Sequence, residues 1–261
     1  MVKQSRERLD VLLVDRGLAP TRQRAQAMVL AGNVLVDDKP DVKPGTKIST
    51  EANIRLRGMP MPYVSRGGLK LVHALDTFQV DPSGLRCLDV GISTGGFTDC
   101  LLQRGAVQVV GVDVGRAQVD WKLRQDPRVI LFEETNFRYI DPNKIGSPFD
   151  LCVIDVSFIS LTLILPVVAA CISPGGLVLP LVKPQFEVGR ENLGNKGVVR
   201  DPEKRLGALQ KISQFSTTCG FQVLGETESP VPGPEGNIEY LLKLERCGPS
   251  PSPLPGPRDP D

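Results

Sequence analysis

The chain has 261 residues, 41% of them hydrophobic and 23% charged, with a formal net charge of +1. This is ordinary for a folded globular protein, with room for one large domain or for a medium and a small one. The six cysteines include no CxxC pair, which argues against a paired-ligand zinc site and for buried, reduced thiols in a cytoplasmic protein. The opening MVKQSRERLD has no apolar core of a secretory signal.

The charge is unevenly spread. Residues 1–57 hold 11 Lys/Arg against 7 Asp/Glu, whereas the remainder carries a net −3. The N-terminal part is therefore the better place for a nucleic-acid contact. RLDVLLVDRG predicts a short amphipathic helix with Leu9, Leu12 and Leu13 inward and Gly17 as its stop. TRQRAQAMVLAG repeats the design, with Thr21 as N-cap, Ala25, Met28, Val29 and Leu30 inward, and Gly32 as stop. NVLVDDKPDVKPGTKIS then predicts short strands broken by turns. Arg22 and Arg24 flank the start of the second helix, where the helix dipole already favours anions. They mark either a solvated helix face or a phosphate-contacting surface.

This segment resembles the S4 domain of RNA-binding proteins along its whole length, through "AGNVLVDDK" included. The resemblance implies RNA binding, with Arg6, Arg8, Arg22 and Arg24, and Arg66 beyond the linker, as the contacting side chains. The expected boundaries are 1–57 for this domain, 58–64 (GMPMPYV) for a linker, and 65–246 for a larger domain. The last 15 residues, CGPSPSPLPGPRDPD, predict a disordered tail.

Beyond the linker, strands and helical stretches alternate. A helix is predicted at 67–78, and another from about 96. Strands are predicted at 86–90, 107–113, 129–133, 150–155, 177–183, 221–228 and 238–245. That order predicts an α/β fold with a parallel-rich sheet. The uncharged run from Val156 to Val182 is long enough for a membrane span. Its Pro and Gly residues argue against one, and SPGGLVLPLVK reads as a helix end, a tight turn and a buried strand.

RCLDVGISTGGFTDCLL carries the most information. A buried strand runs into a glycine loop, where the backbone can approach a ligand that a Cβ would block. GISTGG lacks the G-x-G-x-x-G spacing of a dinucleotide site, so a nicotinamide enzyme is disfavoured. Asp113 ends the next strand, 22 residues after Gly91, where a carboxylate can accept from both ribose hydroxyls of a nucleoside. The loop resembles motif I of class I methyltransferases, which implies S-adenosylmethionine as cofactor. Asp89, Gly91, Ser93, Thr94, Gly95, Gly96 and Phe97 would border its methionine part, and Asp113 its ribose. Glu134 and Asn136 in LFEETNFRYI resemble the segment that holds the adenine edge.

Four charged residues close strands or open helices at what should be one sheet edge: Lys70, Asp155, Lys183 and Glu239. A charge ending a buried strand needs a partner or a job. Methyl transfer to a ribose hydroxyl needs a base, and a lysine can serve if burial and a neighbouring cation lower its pKa. No metal ligands are clustered, and the lone His73 reads as a helix-face residue. The order Lys–Asp–Lys–Glu is similar to the tetrad of the FtsJ/RrmJ-like ribose 2'-O-methyltransferases. With YVSRGGLKL, DVSFISL, LVKPQFE and NKGVVRD it resembles the TlyA family, also called hemolysin A, over about residues 5–246. The resemblance implies a Rossmann-like methyltransferase domain behind an S4 domain, with Lys183 as base. It also implies cytidine 2'-O-methylation of 16S and 23S ribosomal RNA, or of 23S alone, on ribosomal subunits. Two alternatives stand beside it: a membrane-lytic protein, as the second name suggests, and an RNA-binding protein with an inactive methyltransferase domain.

Overall fold

A computed structural model of the chain describes residues 6–248, apart from 20, 38, 40–42, 57–60, 234 and the side chains of 190 and 195. The predicted tail is outside them from residue 249 onward, as is most of the first half of the predicted linker. The chain divides into two units between Met61 and Pro62.

The first unit contains β1 (Arg6–Arg8), α1 (Leu9–Asp15), α2 (Arg22–Leu30), β2 (Val34–Val36), β3 (Lys47–Ser49) and β4 (Ile54–Leu56). β1 pairs with β3 and β2 with β4, both antiparallel. β1 and β4, too short to show a period in sequence, were not foreseen. Leu9, Leu12, Leu13, Ala25 and Val29 are buried, as their helical spacing predicts. Leu30 is not inward: it is 78% exposed, because one further step of about 100° carries it off the face shared by Ala25 and Val29. Thr21 caps α2 by accepting from the Arg24 amide.

The second unit is a seven-stranded sheet with helices on both faces. In chain order it contains α3 (Gly67–Thr77), β5 (Arg86–Val90), α4 (Gly96–Gln103), β6 (Gln108–Val112), α5 (Trp121–Arg124), β7 (Val129–Phe132) and β8 (Phe149–Ile154). There follow α6 (Leu165–Cys171), β9 (Ile172–Val182), α7 (Pro184–Glu187), α8 (Pro202–Thr218), β10 (Phe221–Glu228) and β11 (Tyr240–Arg246). The sheet order is β10-β11-β9-β8-β5-β6-β7. The strands from β9 to β7 pair in parallel, while β11 runs antiparallel to both of its neighbours. Central strands such as LCVI are buried on both faces, which is why they read as unbroken apolar runs. α6 and α8 pack on one face, and α3 and α4 on the other.

Two readings change, that of the SPGG segment and that of the cysteines, while His73 stays a helix-face residue. The SPGG segment is no turn after a helix: α6 ends at Cys171 and β9 runs from Ile172 through the glycines. Four cysteines are buried, but Cys219 is half-exposed and Cys247 exposed. Burial pushes the Cys87 thiol up to about 12 and Cys100 to about 11, so these two are poor nucleophiles. His73 lies on α3 with Nε2 3.1 Å from Thr227 Oγ1 on β10, a helix-to-sheet contact.

Candidate active site

The strand register decides which residues meet. Val90 pairs with both Val112 and Ile154, so Gly91, Asp113 and Asp155 leave the sheet at one edge, the carboxyl ends of parallel strands. Tyr240 pairs with Val182 although β11 runs the other way. Glu239, just before β11, therefore emerges beside Lys183, just after β9. Such an edge is where open α/β sheets hold ligands.

The four charges form two ion pairs. Lys70 Nζ, on α3, lies 2.5 Å from Glu239 Oε2, and both side chains are nearly sealed from solvent. Lys183 Nζ lies 2.6 Å from Asp155 Oδ1 and donates to Ser157 Oγ at 2.9 Å. The costs of burying Lys70 and Glu239 are thus offset pairwise. Sequence reasoning expected a neighbouring cation to depress the lysine base. Lys183 instead has a carboxylate against it, and Lys70 is turned to Glu239.

Three cavities follow this edge. The first, about 210 Å³, is bounded by Arg66, Gly67, Lys70, Gly91, Phe97 and Asp155, with Ser93, Thr94 and Gly96 also in its wall. The second, about 390 Å³, has Asp113, Asn136, Phe137 and Val156 in its wall and shares Gly91, Ser93 and Asp155 with the first. The third, about 730 Å³, contains Lys183, Gln185 and Glu239, and shares Ser157, Phe158 and Ile159 with the second. Asp155 thus borders the first two cavities, and Lys183 faces the third.

The glycine loop is built for close approach. Gly91 has φ +85°, and a Cβ there would stand 2.6 Å from the Asp155 carbonyl oxygen. Gly95, at φ +95°, opens α4 and lies against Leu123, so it supports the loop from behind without facing a cavity. Asp113 accepts from the Ser93 amide at 2.8 Å and the Gly115 amide at 2.7 Å, which fixes its carboxylate at the mouth of the second cavity.

With Gly95, three expected cofactor residues do not reach a cavity wall, the others being Asp89 and Glu134. Asp89 is fully buried behind the loop, where Oδ2 accepts from Thr98 Oγ1 at 2.7 Å and Oδ1 has no hydrogen-bond partner among the described residues. Burial raises its pKa to about 7. Glu134 points outward and stands 3.8 Å from Arg116, because its backbone turns through φ +51°. Asn136 does reach the second cavity, and Thr135 joins it. Ser157, Phe158 and Gln185 were missed, although the first two lie within three residues of Asp155 in the sequence.

In the first unit, two of the four arginines assigned to RNA are committed internally. Asp10, fully buried, accepts from Arg8 Nε at 2.9 Å, Arg22 at 3.2 Å and Gln26 at 2.7 Å. The Arg8 guanidinium above all holds this carboxyl well below the usual range. Arg6 and Arg24 are exposed, and among the described residues no side-chain partner is seen for Arg24.

Residues 63–246 match the family model of the FtsJ-like methyltransferases. The chain belongs to that family. Ahead of its FtsJ-like domain, residues 7–54 match the S4 domain. The Bacillus subtilis protein YqxC is 51% identical, over 93% of this chain and 87% of its own length. The 16S/23S rRNA (cytidine-2'-O)-methyltransferase TlyA of Mycobacterium tuberculosis is 48% identical, over 92% of this chain and 90% of its own. A solved Streptococcus thermophilus structure, 46% identical, superposes with a TM-score of 0.72, covering 94% of this chain and 90% of that one. The FtsJ-like domain accounts for the parallel sheet and the glycine loop at its edge.

Proposed function

We propose that this chain transfers a methyl group from S-adenosylmethionine to the 2'-hydroxyl of a cytidine in ribosomal RNA, on ribosomal subunits in the cytoplasm. The observation that carries the reading is the Lys183–Asp155 pair, set where the two smaller cavities meet the large one. TlyA of Mycobacterium tuberculosis, similar over nearly the whole chain, bears that activity in its name. The cofactor fits the residues present. The two smaller cavities suit a two-part ligand, bare glycine backbone lines one, and Asp113 stands ready for a ribose in the other. When bound, S-adenosylmethionine supplies an electrophilic methyl group on a sulfonium sulfur.

The chain's own residues would do the rest. Lys183 would take the proton from the 2'-hydroxyl as that oxygen accepts the methyl group. Asp155 borders the cofactor cavities as well as Lys183, so its carboxylate is shared with any cation held there. Glu239 and Lys70, paired with each other, fix the opposite wall and orient the ribose. The S4 domain holds the RNA through Arg6 and Arg24, and Arg66 lies at the first cavity.

Lys183→Ala is the test. Methyl transfer to purified ribosomal subunits, followed with a radiolabelled methyl group, should fall by ~10³-fold or more, while cofactor and RNA binding persist. Full activity would remove Lys183 from the mechanism, and a label on a base instead of a ribose would remove the 2'-hydroxyl reading. Among the described residues no helix is long and apolar enough to cross a membrane.

A further inference from the structure

Between Asp155 and Leu161 the chain lacks its own scaffold. Among the described residues, no backbone–backbone hydrogen bond is made by an amide of Val156, Ser157, Phe158, Ile159 or Ser160. Phe158 also sits at φ +64°, a left-handed conformation that costs a non-glycine residue of order 1 kcal/mol. Yet this loop carries Ser157, a partner of Lys183, and follows directly on Asp155, the other partner, whose amide donates to the Val90 carbonyl oxygen at 3.0 Å. Something outside the loop must hold it.

Glu187 does. It ends α7, four residues after Lys183, and is 6% exposed. Its Oε2 accepts from Ser160 Oγ at 2.6 Å and its Oε1 from the Leu161 amide at 2.8 Å, so both oxygens face the end of the loop. On the other side Lys211 of α8 lies 3.7 Å from Oε2 and donates to the Glu187 carbonyl oxygen at 2.8 Å. Glu187 borders none of the three cavities.

We propose that Glu187 is a positioning residue for methyl transfer, a buried clamp that fastens the Val156–Ser160 loop to α7 and so keeps Ser157 on Lys183 beside the sheet-anchored Asp155. The proposal rests on the reading of Lys183 given above. It also makes a claim about the loop that stands without activity. A carboxylate suits the task because it accepts from two donors at once without needing a proton of its own. Glutamine can keep both contacts, its oxygen accepting from the Leu161 amide while its NH₂ donates to Ser160 Oγ. Alanine keeps neither.

Glu187→Ala, Glu187→Gln and Ser160→Ala separate the possibilities. For Glu187→Ala, kcat should fall by ~30-fold, with the cofactor Kd and the KM for ribosomal subunits within about twofold of the parent. Glu187→Gln should recover kcat to within about threefold, and Ser160→Ala should lose several-fold. Hydrogen exchange at the Leu161 amide, measured on the full chain, should quicken in Glu187→Ala and stay slow in Glu187→Gln. Parental kcat in Glu187→Ala overturns the proposal, as does a glutamine variant as impaired as the alanine one, or a loss confined to KM. Should Glu187→Ala fail to fold, Ser160→Ala decides: a lower kcat at an unchanged melting temperature supports the clamp, and an unchanged kcat sinks it. If the parent transfers no methyl group while the exchange pattern holds, the reading of Lys183 fails and the clamp survives.

Discussion

Asp89 shows what a single buried carboxylate does to the energetics of this fold. It is fully buried, one oxygen is satisfied by Thr98, and the other has no hydrogen-bond partner among the described residues. Burial raises its pKa from 3.8 to about 7. A raised acid pKa means that the folded state holds the proton more tightly than the unfolded chain. The stability it contributes is full below about pH 4 and is lost as pH climbs to 7. Asp89→Asn removes that loss. In urea titrations the variant should gain on the parent by roughly 2–3 kcal/mol more at pH 8 than at pH 5. An equal gain at both pH values would mean that Asp89 stays ionised across the range. The sequence marked Asp89 because it precedes a glycine loop, and placed it at the ligand. Its burial depends on α4 folding back to bring Thr98 over it, which residue order alone does not reveal. The tetrad was legible for a different reason. A charge closing an apolar strand is costly wherever the strand is central, so Asp155 and Lys183 stood out. Glu187 and Ser157 did not, since their partners lie 26 or 27 residues away along the chain.

At the scale of elements, the strands and the loop between β5 and α4 were the most readable. Strand limits fell within one or two residues of expectation where an apolar run meets a Gly, Asp or Lys, as at Val90, Val112 and Val182. The reversed direction of β11 and the extension of β9 through SPGG were not readable, because both are set by pairing with neighbours. The loop after β5 makes its own prediction. Gly91→Ala would force a left-handed backbone on a residue with a side chain and drive a Cβ to 2.6 Å from the Asp155 carbonyl oxygen. The strain alone is about 1–2 kcal/mol, and its relief must move either the loop or Asp155. Calorimetry should show S-adenosylmethionine bound ~10-fold or more weakly, with the circular dichroism of the sheet preserved. Parental affinity would show that this loop is not the cofactor wall.

At the scale of the molecule, the two units divide the labour by charge: a basic first unit, and a larger one with a net negative balance. The arginines of the first unit are not equivalent, however, and that inequality can be measured. Arg22 binds the buried Asp10 together with Arg8 and Gln26, so its charge is partly spent on the fold. Arg24 lies in the first turn of the same helix with its amide capped by Thr21 and its side chain in solvent, where a phosphate can be met. Each phosphate contact releases counterions, so its loss flattens the dependence of affinity on salt. Arg24→Ala should weaken RNA binding most at low salt, lower the slope of log K against log salt by about one, and leave the melting temperature unchanged. Arg22→Ala should lower the melting temperature as well, because Asp10 loses a charged donor worth about 1–3 kcal/mol in a buried setting. The two variants must therefore differ in stability while both weaken binding. If Arg24→Ala leaves the salt slope at its parental value, the RNA does not lie along the start of α2. A loss of stability in Arg24→Ala equal to that in Arg22→Ala would show that the second arginine, too, serves the fold.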